Sequence, residues 1–235
     1  MMKKIIIVLL FLTCSLVQAQ YISGKIIYGE KINKEFLRKI KISKKNKRQT
    51  LRLLKKQKKQ VKFLEYTLSF NQNKSVFHYP ETMPNDNGMD LKMLRMASGA
   101  NGVFYNDLTS NIKLRQKDAF GTKWIIKEKI DTLNWEIGNE TRIIKGYRCI
   151  KATTVINLNR RVRGEVTAWF CPDLPFQLGP LGFSGLPGMI LGLKRHFYYF
   201  YAKEINLSKK PLQIKKPKDG KLVTQEEYFE EIKEL

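Results

Sequence analysis

The 235-residue sequence holds only two histidines and three cysteines, too few for a zinc-finger array or a disulfide-dense small domain. It contains no HExxH, P-loop or GxGxxG pattern, so zinc-peptidase and nucleotide chemistry have no motif to rest on. Beyond the first 20 residues no stretch approaches 18 apolar residues, and no later membrane-spanning helix is expected. Acids are scarce: 21 Asp and Glu stand against 44 Lys and Arg, for a formal charge of +23. Between Arg38 and Lys62 there is no acid at all, against 13 Lys and Arg in 25 residues. What is present suffices for a packed core, with 43% hydrophobic and 11% aromatic residues.

The N-terminus reads as a secretory signal. Lys3 and Lys4 form its charged start, Ile5 to Leu12 its apolar run, and Val17-Gln18-Ala19 its small-residue cleavage pattern. The apolar stretch Ile5 to Val17 is 13 residues, short of the roughly 20 of a spanning helix. Cys14 offers a lipoprotein alternative, but the preceding Thr13 is bulky for one. The expected division is a signal peptide over 1–19 and a single domain over 20–235, with a basic helical insertion at 33–62. Loss of Lys3 and Lys4 takes the formal charge from +23 to +21. Cys149 and Cys171 are then the remaining thiols, in an oxidising compartment.

In the basic stretch, Leu37, Ile40, Leu51, Leu54 and Val61 fall near a 3.5-residue spacing, broken by Lys44, Lys47 and Lys58. This predicts one or two amphipathic helices docked by short apolar clusters. No aromatics are interleaved to stack bases, so nucleic acid is not the expected partner. Anionic lipid headgroups or lipopolysaccharide phosphates suit better, at about 1 kcal/mol per basic residue near such a surface. Lys55, Lys56, Lys58 and Lys59 are the candidate contacts. The plainer alternative is a solvated helical face.

The rest is nearly all strand. Tyr21–Gly29, Phe63–Phe70, Ser75–Tyr79, Gly102–Asn106, Asn111–Gln116, Thr122–Ile130, Arg142–Ile156, Arg163–Cys171, Gly188–Lys194 and Phe197–Asn206 carry β-rich composition. Turn signals stand at Asn71-Gln72-Asn73, Asn106-Asp107 and Gly138-Asn139. Short strands with close turns predict a mainly antiparallel β fold, a curved sheet or half-barrel. With the basic insertion and a C-terminal helix it is α+β overall. Thr224 and Glu227 form the T-x-x-E box that starts this helix, and its acids invite contact with the basic stretch.

One register can be argued. Pairing Arg148–Ile156 with Arg163–Cys171 so that residue numbers sum to 320 sets Ile150, Ala152 and Thr154 opposite Phe170, Ala168 and Val166. Lys151 then lies opposite Trp169, a cation–π arrangement. Cys149 faces Cys171 at a separation compatible with a disulfide; sums of 318 and 322, two buried thiols and a soft-metal site remain alternatives.

Leu178–Leu193 reads LGPLGFSGLPGMILGL, with Gly179, Gly182, Gly185 and Gly188 at every third residue. Four triplets are too few for collagen; they describe a stiff, sharply turning segment leading into an apolar strand. Gly185-Leu186-Pro187-Gly188-Met189-Ile190 resembles the motif of the GLPGLI family of exported Bacteroidota proteins, departing only at Met189. The resemblance extends through Trp124-Ile125-Ile126, Gly146 to Ala152, Ala168-Trp169-Phe170 and Pro175 to Pro180. It implies a signal-bearing, mostly antiparallel β protein, often encoded near outer-membrane receptor genes, and so a place in the periplasm or at the periplasmic face of the outer membrane. It supplies no catalytic residue and no cofactor. Gly185, Leu186, Pro187, Gly188 and Trp169 are the candidate rim for a receptor, another envelope protein or an apolar ligand.

Enzymatic alternatives find few footholds. Ser184 lacks the second glycine of a nucleophile elbow, since Leu186 stands there, and nothing local joins it to His78, His196 or Asp173. A thiol-redox centre would need an exposed low-pKa cysteine, and no CxxC occurs. Met89, Met93 and Met96 share a helical face, which suits either copper(I) or packing on the sheet beside Leu91 and Leu94. In the run Phe197–Tyr201, strand alternation sends Tyr198 and Phe200 to one face and Phe197, Tyr199 and Tyr201 to the other. A concave sheet lined this way could hold a lipid or acyl chain.

Overall fold

A computed structural model of the chain describes residues 22–33, 52, 58–80, 91–130, 132–157 and 163–233. The expected signal peptide and most of the basic stretch, including Lys55 and Lys56, lie outside these residues, as does Met89.

The chain runs β1 (Ser23–Ile32), β2 (Glu65–Asn71), β3 (Lys74–His78), α1 (Leu91–Ser98), β4 (Val103–Asp107), β5 (Ile112–Ala119), β6 (Thr122–Lys129) and β7 (Glu136–Ile144). It continues through β8 (Tyr147–Asn157), β9 (Arg163–Cys171), a 3-10 turn (Pro180–Gly182), β10 (Met189–Arg195), β11 (Tyr198–Ser208), β12 (Lys221–Thr224) and α2 (Gln225–Lys233). All twelve strands join one sheet in the order β12-β6-β5-β4-β3-β2-β1-β11-β10-β9-β8-β7. Among the described residues only β12 on β6 is parallel. The mainly antiparallel expectation is met.

The sheet is curled. Five strands separate β5 from β10, about 29 Å of flat sheet at ~4.8 Å per strand. Yet Arg115 of β5 and Arg195 of β10 converge on one residue, Gly99, just past α1. Arg115 Nη2 donates to the Gly99 carbonyl at 3.2 Å, and Arg195 Nη1 lies 2.8 Å from where a Gly99 Cβ would be.

Alternation along β1 turns Ile26, Tyr28, Glu30 and Ile32 inward. Register places Ile26 and Tyr28 beside Leu68 and Tyr66 of β2, and Glu30 beside Phe200 of β11. The core is aromatic: Tyr66 stacks on Phe77 at 5.3 Å, and Phe77 meets Tyr28, Phe104 and Phe200 edge-on. Three segments join this cluster: α1 through Leu94, residues 58–64 through Val61 and Leu64, and residues 172–188 through Leu174, Phe176, Leu178, Leu181 and Leu186.

The hairpin pairs as expected, from Ile150 opposite Phe170 to Asn157 opposite Arg163, every pair summing to 320. Three expectations need correction. Arg142–Ile156 is two strands, because the chain reverses at Lys145-Gly146, both at positive φ. Gly138-Asn139 is no turn; it lies in β7, where pairing skips from Ile137 to Thr141 as a bulge. The turn after β4 falls beyond Asn106-Asp107, with Asp107 Oδ1 accepting the Ser110 amide at 3.2 Å. Separately, α2 rests on β6 and β12, with Tyr228 edge-on to Trp124 at 5.3 Å; its expected contact with the basic stretch involves residues outside the described ones. Its capping box forms as read: the Thr224 amide donates to Glu227 Oε2 at 2.7 Å, and the Glu227 amide to Thr224 Oγ1 at 3.2 Å. That box stabilises the first turn by about 1 kcal/mol.

Candidate functional site

The glycine- and proline-rich segment closes one end of the curled sheet. After β9 the chain makes a run of tight turns. Leu174 N–H donates to the Cys171 carbonyl, Phe176 N–H to Leu174, and Leu178 N–H to Phe176, at 3.2, 2.7 and 2.8 Å. Leu174, Phe176 and Leu178 therefore point inward while Asp173, Pro175 and Gln177 face water. Phe176 meets Phe70 edge-on at 4.7 Å. The returning chain is tied back by Met189 N–H to the Leu174 carbonyl and Ile190 N–H to the Leu178 carbonyl, each at 2.9 Å. Two core side chains hold the segment from the sheet: Tyr28 Oη donates to the Ile190 carbonyl at 2.6 Å, and Asn106 Nδ2 to the Gly182 carbonyl at 3.0 Å.

Of the five candidate rim residues, only Gly185 and Pro187 are exposed; Leu186, Gly188 and Trp169 are buried. Gly188 explains its own identity. A Cβ there would sit 2.2 Å from the Cys171 carbonyl oxygen, at a φ of +154°. Ser184 is 3% exposed, and Trp135 Nε1 donates to its carbonyl at 3.0 Å. The segment is a plug more than a rim.

Cys149 and Cys171 are buried beside it as free thiols. Their mutual hydrogen bond, then burial, raises the Cys149 pKa. Trp169, on the same side of the hairpin, is covered by Arg142, whose guanidinium lies 3.5 Å from the ring centroid. The expected Lys151–Trp169 stack is absent because Lys151 pairs with Glu140 across the hairpin. The planar, weakly hydrated guanidinium takes the ring face, and the lysine takes the carboxylate.

Where the basic stretch re-enters the described residues, 58–61 are helical. Val61 and Leu64 are buried in the core, and Lys58, Lys59 and Lys62 are exposed. Lys62 Nζ lies 4.9 Å from the Phe63 ring centroid, and that ring is 53% exposed. On α1, Leu94 is buried while Met93 and Met96 are 59% and 52% exposed, so these methionines do not pack on the sheet. Among the described residues no three of His, Cys, Asp and Glu are grouped to hold a metal ion.

The opposite end of the curl holds a polar cluster that no motif announces. Glu30 is 1% exposed. Its Oε2 accepts from Tyr66 Oη at 2.5 Å, and its Oε1 has no hydrogen-bond partner. Burial pushes this carboxyl up to about 7, against the lowering effect of the Tyr66 hydrogen bond and of nearby Ser98. Tyr198, opposite Ile32, is raised by burial and then by Glu30. Arg95 of α1 stacks on Tyr79 with its guanidinium 4.1 Å from the centroid. Lys117, two residues beyond Arg115 on the same face, is lowered to about 8 by burial and by Arg115. The available signal for Glu30 was its place in a strand: an acid at an inward step of the Ile26, Tyr28, Ile32 alternation.

A family profile described as "Protein of unknown function (Porph_ging)" matches residues 160–192, from the end of the β8–β9 hairpin through the plug into β10. No curated protein sequence matches. Among solved structures the fold is similar to that of PNGF-II in two crystal forms. In the C2 form the identity is 15% and the TM-score 0.54, covering 90% of this chain and 32% of that one. In the P21 form the identity is 14% and the TM-score 0.53, covering 89% and 32%. The chain thus spans about a third of PNGF-II's length and shares with it a curved β fold.

Proposed function

We propose that this chain is an exported, non-enzymatic accessory protein of the cell envelope, of GLPGLI type, that acts at the periplasmic face of the outer membrane. It docks peripherally on anionic envelope surfaces through its basic segment and presents Gly185 and Pro187 to a receptor or other envelope protein. The observation that carries this reading is the anchoring of the basic segment's end. Val61 and Leu64 are sunk in the core, so Lys58, Lys59 and Lys62 stand outward on a fixed base beside an exposed Phe63. Lysines held near an anionic surface contribute about 1 kcal/mol each, and an exposed aromatic ring suits the headgroup region.

The test is co-sedimentation with vesicles containing phosphatidylglycerol, across a salt series. Reversing Lys55, Lys56, Lys58 and Lys59 to Glu should weaken binding by about a thousandfold or more, and flatten its salt dependence. Unchanged binding by that variant would remove the surface role.

A further inference from the structure

Arg115 and Arg195 are charged, largely buried and close to each other. They come from strands on opposite sides of the curl and meet over Gly99, at the C-terminal end of α1. Arg115 Nη2 donates to the carbonyls of Gly99 and Asn101 at 3.2 and 3.1 Å, which uses one edge of its fork. The Nε atoms of both arginines are buried without a partner. Burial lowers both pKa values, and repulsion from Arg195 lowers that of Arg115 further, against smaller raising effects of Tyr228 and Glu128. Among the described residues, neither has a carboxylate in ion-pair contact. Lys117, near enough to Arg115 to feel its charge, turns its ammonium onto the Tyr228 ring, 4.0 Å from the centroid.

Buried charges are ordinarily paired, and two like charges forced together in a desolvated site cost stability unless an opposite charge joins them. The carbonyls at the end of α1 offset part of this through the helix dipole. Both side chains also keep some surface in water, so an ion from solution can reach them.

We propose that Arg115 and Arg195 form a binding site for a small oxyanion, a phosphate or a carboxylate, which bridges the two guanidinium forks and closes the mouth of the curled sheet over α1. Two guanidinium groups brought against the same residue, Gly99, suit such anions, because a planar fork can give two parallel N–H bonds. The proposed site takes none of its ligands from the basic segment.

The test uses the whole mature chain. Melting is followed in sodium phosphate, sodium acetate and sodium chloride at matched ionic strength, and phosphate binding is measured by titration calorimetry. Saturable one-site binding is expected. At a hundredfold excess over Kd, Tm should rise by about 5–10 °C above the chloride value. Comparison of phosphate with acetate shows which geometry the forks prefer. Arg195→Gln should bind at least tenfold more weakly and lose the phosphate-dependent rise, while melting in chloride no lower than the unaltered chain. Reversing the basic-segment lysines should leave the response intact. If neither anion raises Tm beyond chloride, the proposal is wrong. It is equally wrong if Arg195→Gln responds like the unaltered chain, as general phosphate condensation on so basic a protein would require.

Discussion

The two ends of the curled sheet are built on opposite principles. At the plug end most polar groups are backbone and paired, and the two side-chain atoms left without a partner, Asn106 Oδ1 and Trp169 Nε1, are neutral; Tyr28 and Asn106 Nδ2 donate to carbonyls of the segment, and its leucines and Phe176 complete the apolar core. At the mouth end, side chains carry the polarity. Glu30 Oε1 and the Nε atoms of Arg115 and Arg195 are buried without partners. The end with the recognisable motif is therefore a folding device, and the end with none holds the chemistry. Motifs rich in glycine and proline record backbone constraints; a binding cluster assembled from β1, β2, β5, β10 and α1 leaves no local pattern.

Glycine substitution should expose this contrast most strongly. Gly188→Ala drives a Cβ into the Cys171 carbonyl, and backbone on both sides leaves no cheap relief. A loss of about 3–5 kcal/mol is expected in denaturant unfolding. Gly99→Ala meets only the flexible end of Arg195, so about 1–2 kcal/mol is expected, from its positive φ. Equal losses would break the contrast.

Next comes pH. The Glu30 carboxyl is raised from 4.5 to about 7 by burial, so the folded state keeps a proton that the unfolded chain releases. Its stabilisation is complete below pH 4.5 and is lost as pH rises through 7, by about 3 kcal/mol in all. Glu30→Gln should flatten this part of the stability–pH curve and be the more stable form at pH 8. If stability instead falls at pH 8 in that variant, the carboxylate has a partner that the polar cluster does not reveal. The smallest effect belongs to neither end: Thr224→Ala removes one half of the α2 capping box and should cost about 1 kcal/mol in thermal unfolding.

Much of the fold was legible because strand alternation and turn chemistry are local. The β8–β9 register followed from keeping Ile150, Ala152 and Thr154 on one face with Phe170, Ala168 and Val166. The bulge in β7 was not legible, because Gly-Asn serves a turn and a bulge equally well. Nor was β12, four residues long and held by α2 and a parallel neighbour. For the sites, the motif drew attention to Gly185–Ile190, most of which is core. Glu30 could have been suspected from its inward strand position. The meeting of Arg115 with Arg195 could not, since it depends on how far the sheet curls.

Hydrogen exchange at four amides tests the contrast most directly. Met189 and Ile190 donate to the plug carbonyls, and Gly99 and Ala100 donate to Met96 and Arg95 at the end of α1. If the plug is a folding device and the mouth a binding site, Met189 and Ile190 exchange only through global unfolding, while Gly99 and Ala100 exchange faster through local opening. Met189 and Ile190 exchanging as fast as the α1 pair would show the plug to be a mobile element, and would contradict the account.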